Sequence, residues 1–142
     1  MLYPLFAMVL LTLTVGILAL KARYASVKNR ELELGYFRDM QASIGNAVPE
    51  RVQITSRCYN NQFEIPVLFY AAGICAIAMG VETWLTILTA WLFVGTRVVH
   101  AWIHLTYNHV LHRMRAFWAG ILFVLVLWGE LFTAKLFSSI PL

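Results

Sequence analysis

The sequence predicts an all-α integral membrane protein built as a bundle of four spanning helices. Three observations carry that prediction. Hydrophobic residues make up 61% of the 142 positions and charged residues 13%, with a mean hydropathy of +0.71, a balance that ordinary soluble domains do not have. The apolar residues fall into four long stretches, and a chain of this length has room for about four spans of roughly 20 residues. The basic residues gather in the first and third connections and are missing from the second, the asymmetry expected of a multi-pass chain.

The first span covers about Leu2 to Leu20, holds no charge and stops at Lys21 and Arg23. It has neither the basic n-region nor the small-residue cleavage site of a signal peptide, so it is expected to stay as a helix. A polar stretch follows to about Ser56, carrying Lys28, Arg30, Arg38 and Arg51 against Glu31, Glu33, Asp39 and Glu50. Gly35, Gly45 and Pro49 should break it into short interfacial pieces. The second span runs from about Arg57 to Gly80, and Pro66 inside it should kink or loosen the helix. A tight turn at Val81–Thr83 leads into the third span, about Trp84 to Asn108. The polar connection His109–Arg115 leads to the fourth, about Ala116 to Phe137, where Glu130 and Lys135 can reach the interface by snorkelling. All of this reads as one domain over residues 1–142.

By the positive-inside rule the first and third connections face the cytoplasm and both termini face the other side. The net charge of +4 is thus a topology signal. No basic run is interleaved with exposed aromatics, so nucleic acid is not an expected partner. Cys58 and Cys75 would lie about 26 Å apart on one helix, too far for a bridge within a subunit, and read as small packing residues.

Charged and polar residues inside two spans are the main functional signal. Arg57, Asn61 and Glu64 are spaced by four and three residues, and Arg97, His100, His104 and Asn108 by three, four and four. At about 100° per residue each set forms one helical stripe. Each ionised group costs on the order of 2.5–3.5 kcal/mol at the bilayer centre, so such stripes line bundle interiors or wet cavities. Glu64 is expected about 10 Å inward from Arg57, level with His104, His100 or a downward-reaching Arg97. Arg57, Arg113 and Arg115 are expected at the cytoplasmic mouth, giving a cleft with a cationic rim and one buried carboxylate.

Guanidinium groups grip carboxylates in bidentate fashion, and a buried Glu suits an ammonium or amide donor. A small zwitterion with more than one carboxylate fits that pattern, and glutathione is one such molecule. The same residues also suit a satisfied ion network that only fixes helix register. His100 and His104 could share a metal ligand sphere, but four histidines and one deep carboxylate are few for a di-metal centre, and haem ligation lacks a motif. Metal ranks below both other readings. A transporter ranks last, because one small subunit shows no inverted repeat.

The string R-C-Y-N-N-Q-F-E-I-P from Arg57 to Pro66 resembles the second-helix signature of the MAPEG superfamily, membrane-associated proteins in eicosanoid and glutathione metabolism. Arg57, Asn61, Glu64 and Pro66 fill its positions, and R-V-V-H at Arg97–His100 is similar to the third helix of prostaglandin-synthase members. The stretches N-N-Q-F-E-I-P-V-L-F-Y and T-Y-N-H-V look most like a bacterial branch of the superfamily. The resemblance implies a homotrimer in a bacterial inner membrane, with glutathione bound between subunits near the cytoplasmic face. It implies that Arg57, Asn61, Glu64, Arg97, His100 and the neighbouring His104 hold glutathione, with Glu64 on its amino group. Arg113 stands where the family places a catalytic arginine, and would stabilise a thiolate directed at a lipophilic electrophile or peroxide. Where well-studied members carry hydroxyl groups after that arginine, this chain has Met114 and Phe117, and His104 replaces a tyrosine, though Tyr107 lies nearby. The implied function is a glutathione-dependent transferase or peroxidase; the competing one is a non-catalytic trimer that binds a lipid, thiol or small anion.

Overall fold

A computed structural model describes residues 1–39 and 48–138, without the side chains of 38, 39 and 138. The break expected at Gly45 lies outside the described residues. Helix α1 spans Leu2–Lys28, a short α2 spans Tyr36–Asp39, and α3 spans Glu50–Asn60. A 3₁₀ turn at Asn61–Phe63 separates α3 from α4, Ile65–Met79; α5 is Trp84–Leu105 and α6 is Val110–Ser138. Among the described residues four helical stretches are long and apolar enough to cross a membrane: α1, α3 with α4, α5 and α6. The protein is all-helical, with the four spans packed as a bundle.

The first and fourth apolar spans lie within longer helices. The apolar run of α1 ends at Leu20, but the helix continues to Lys28 and closes in a Schellman turn. There the Arg30 N–H donates to Val27 O at 3.0 Å and the Glu31 N–H to Ser26 O at 2.9 Å. Arg30 takes the left-handed conformation (φ 58°) that such a turn demands at this position. Glu31 then forms an ion pair with Arg51 at the start of α3, fastening the polar connection to the second span. Thr83 caps α5 by accepting from the Thr86 N–H at 3.2 Å. The preceding turn closes at Gly80 (φ 67°), whose conformation favours glycine.

The fourth helix differs from its expected start. The connection expected at His109–Arg115 is shorter, and α6 begins at Val110. Nothing in the sequence from Val110 to Arg115 breaks a helix, so the polar residues simply extend it beyond the bilayer. Asn108, placed by its spacing on the α5 stripe, lies past the end of that helix in a left-handed conformation (φ 47°). Its N–H returns to Ile103 O at 2.8 Å and closes the turn.

The second span is broken before Pro66 rather than bent at it. Proline lacks an N–H, and its ring would clash with the carbonyl four residues back, at Gln62. The chain therefore tightens at Asn61–Phe63, departs from helical geometry at Glu64 (φ −95°, ψ −101°), and restarts with Pro66 in the first turn of α4.

Helix α6 packs along α5 and α4, and α1 packs on α3, α4 and α5. Met8, Phe69, Phe93 and Leu127 fill the centre, with the Phe69 and Phe93 rings stacked at 4.4 Å. Lipid tails are as apolar as these side chains, so close contact rather than water exclusion holds the spans together. Directed bonds supplement it. The Trp128 indole donates to Leu68 O at 3.2 Å, and the Thr89 hydroxyl donates to half-buried Glu130 at 2.9 Å. Glu130 is thus bound between α5 and α6 rather than only reaching for the interface.

Candidate functional site

On α5 the three-and-four spacing of Arg97, His100 and His104 puts all three on the buried face. Arg97 is the largest fully buried side chain among the described residues, at 0% exposure. Its Nη2 donates to the main-chain carbonyl of Asn61 at 2.9 Å, while Nε and Nη1 are buried without a protein partner. The His100 and His104 rings meet edge to face at 5.8 Å. Nδ1 of His100 and both ring nitrogens of His104 also lack a protein partner.

A cavity of about 390 Å³ opens beside this face, within the size range of small-molecule sites. It is lined by Arg57 and Asn61 from the second span, His100 and His104 from α5, and Arg113 from α6. Val110, Met114 and Phe117 complete the wall. Gly120 allows α6 to come this close: a Cβ there would stand 3.1 Å from Thr96 Oγ1 and 3.7 Å from Arg97 Cδ. Arg113 is held by the turn before its own helix, donating from Nη1 to Asn108 Oδ1 at 2.7 Å. Arg57 reaches back to Gln53 Oε1 at 3.5 Å, and Asn61 Nδ2 donates to Arg57 O at 3.0 Å.

The sequence stripes therefore meet the structure unevenly. Arg57, Asn61, His100, His104 and Arg113 share one cavity, and Arg97 lies buried against it through Asn61. Glu64 does not join them. It is exposed on the protomer, its side chain makes no hydrogen bond or ion pair among the described residues, and it does not line the cavity. The expected buried carboxylate is absent from the protomer cleft: Glu64 stands exposed at the break between the 3₁₀ turn and α4. Arg115, expected at the same mouth as Arg57 and Arg113, lines a separate groove. It stands two residues beyond Arg113, about 200° around the same helix.

Buried Gln62, whose Oε1 lacks a partner while Nε2 donates to Cys58 O at 3.2 Å, lines a separate cavity. One contributor differs from its place in the sequence pattern: Asn108, a stripe residue by spacing, instead positions Arg113. The non-glycine residue in a left-handed turn is visible only in the fold.

The cavity wall presents two guanidinium groups, an amide and two imidazoles, with no carboxylate. Such a surface can bind anionic groups, and the partnerless nitrogens behind it are the kind that a ligand satisfies. No group of three or more His, Cys, Asp or Glu able to hold a metal occurs among the described residues.

A family model described as "MAPEG family" matches residues 1–133. No curated protein and no solved structure matches the chain.

Proposed function

The chain belongs to the MAPEG family, and from that premise we propose that it is a glutathione-dependent transferase or peroxidase acting on lipophilic electrophiles. The family is glutathione-related, and the protein is an integral, multi-pass member of it. The observation that carries the reading is the convergence of Arg57, His100, His104 and Arg113 on one cavity without a carboxylate. Glutathione carries two carboxylates, for which these donors are suited. Arg113, fixed by Asn108, is the cation assigned to the thiol. A cation beside the sulfur favours the thiolate, the nucleophilic form. That thiolate would attack an electrophilic carbon presented from the bilayer, displacing its leaving group or adding to an activated double bond. With a hydroperoxide it would break the O–O bond and release the alcohol, the resulting sulfenic acid being condensed by a second glutathione to the disulfide and water.

In this reading the protein is a homotrimer and a second copy covers Glu64. A carboxylate exposed at membrane depth is costly unless it is paired or covered. With a neighbour across it, Glu64 would meet the ammonium group of glutathione. The cavity would face the cytoplasm, with both termini on the other side, as the basic connections suggest.

One observation favours a non-catalytic alternative. Met114 and Phe117 line the cavity and offer no hydroxyl donor to a thiolate, which would suit a protein that binds a lipid, thiol or small anion without turnover. The two readings part on one experiment: glutathione-dependent turnover of electrophiles and lipid hydroperoxides by wild type and Arg113→Ala. Turnover that falls at least about a hundredfold in Arg113→Ala supports the enzyme, that being the scale on which one transition-state donor acts. Binding without turnover in wild type supports the alternative.

A further inference from the structure

A second cavity, of about 690 Å³, shares no lining residue with the cationic one and runs between α5 and α6 on another face of the protomer. Trp91, Gly95, Val99 and Ile103 form its α5 wall at a uniform spacing of four, and Ala119 and Phe123 stand opposite on α6. From Trp91 to Ile103 the wall is about 18 Å long, and one leaflet contributes about 15 Å of hydrocarbon. The groove is open at Gly95, where a Cβ would meet nothing within 4 Å. The Thr96 hydroxyl is turned to its own helix, donating to Phe93 O at 2.6 Å, so the middle of the groove stays apolar.

One end of the groove is polar. Tyr107, His112 and Arg115 line it there, at the α5–α6 turn. The Tyr107 hydroxyl lies 3.1 Å from His112 Nδ1. If it donates, a neutral His112 carries its proton on Nε2, available to an acceptor. The Arg115 side chain is exposed and makes no hydrogen bond or ion pair among the described residues, and no carboxylate lines the groove. A hydrocarbon-lined trough as long as one leaflet, ending in a guanidinium and an imidazole, complements the shape and charge of a phospholipid with an anionic headgroup.

We propose that the α5–α6 groove is a binding site for an anionic phospholipid of the adjoining leaflet, with an acyl chain along Gly95 and Val99 and the phosphate at Arg115 and His112. Guanidinium and phosphate match in bidentate geometry, and juxtamembrane arginines favour anionic headgroups. The site is independent of the glutathione assignment, because none of its residues lines that cavity.

The test is native mass spectrometry of the full chain in detergent, incubated with equal amounts of phosphatidylglycerol and phosphatidylcholine of identical chains. Wild type is expected to retain phosphatidylglycerol about fivefold over phosphatidylcholine, the ratio that roughly one favourable cation–headgroup contact gives. Arg115→Gln should bring the two to parity, while Gly95→Trp should lose both by filling the trough. Equal retention by wild type, or an unchanged preference in Arg115→Gln, overturns the proposal. Displacement of the lipid by inorganic phosphate at a comparable concentration would make the site a simple anion site and overturn it too. A changed oligomeric mass in Gly95→Trp would make the groove a subunit contact and equally overturn it.

Discussion

The Arg97 guanidinium donates to the main-chain carbonyl of Asn61 at 2.9 Å, tying the buried face of α5 to the 3₁₀ turn that interrupts the second span. This bond joins the two polar stripes behind the cationic cavity. It also leaves a buried cation with no carboxylate partner among the described residues, and two nitrogens unbonded.

Such a charge burdens the protomer, since exchanging a buried ionic group for an apolar one of similar size is often neutral or stabilising. Arg97→Met is therefore expected to leave the thermal midpoint in detergent unchanged or higher. If Arg97 serves the ligand, the same variant should bind glutathione roughly ten- to a hundredfold more weakly, as expected for a lost charge-assisted hydrogen bond. Thermal unfolding and calorimetry on one preparation separate the two effects. A large fall in the midpoint with unchanged affinity would make Arg97 a purely structural residue.

Glu64 is exposed on the protomer and unpaired among the described residues. Glu64→Gln should therefore change protomer stability by no more than about 0.5 kcal/mol, the usual scale for surface positions. Glutathione affinity should fall at least about tenfold, while sedimentation shows the assembly intact. Subunits that separate in this variant, from a wild type that never binds glutathione, would make Glu64 subunit glue.

Phe117 lines the cavity, with the Arg97 Cζ 6.0 Å from its ring centre and the His100 ring also at 6.0 Å. Phe117→Tyr adds a hydroxyl there. A hydrogen bond to the charged form lowers a pKa, so the bound thiol should ionise at lower pH and turnover should rise. Thiolate absorbance followed against pH in both proteins checks this. An unshifted titration would mean that the sulfur lies away from position 117.

The bundle itself predicts a packing effect. A Cβ on Gly73 of α4 would stand 2.5 Å from Leu5 Cδ2 of α1, so Gly73→Ala must displace that side chain. Overpacking of this kind typically costs about 1–3 kcal/mol. A lowered thermal midpoint with unchanged ligand affinity is expected. An unchanged midpoint would mean that α1 moves aside without cost.

Much of this architecture was legible because it rests on composition and spacing. The four apolar runs gave the spans, and the spacing of Arg97, His100 and His104 gave a stripe that the structure buries on one face of α5. Both readings needed only regular helix. Legibility failed where the backbone leaves that geometry. Arg57, Asn61 and Glu64 look like one stripe, yet the helix breaks at Glu64, which does not line the cavity that the other two share. The proline signalled a disturbance, but local sequence does not say whether the chain bends at it or breaks a turn earlier. Arg113 and Arg115 likewise appear together in a polar connection, and continuation of α6 through them sends them to different cavities.

The most direct measurement is calorimetric titration of glutathione into the detergent-purified wild-type assembly, with Arg57→Ala as comparison. Arg57 lines the cavity and is exposed at its rim, so its removal should spare the fold. Saturable binding by wild type, weakened at least about tenfold in Arg57→Ala, is the predicted result. A properly assembled wild type that takes up no glutathione would contradict the account: the family fold would be present without the ligand assigned to its cavity.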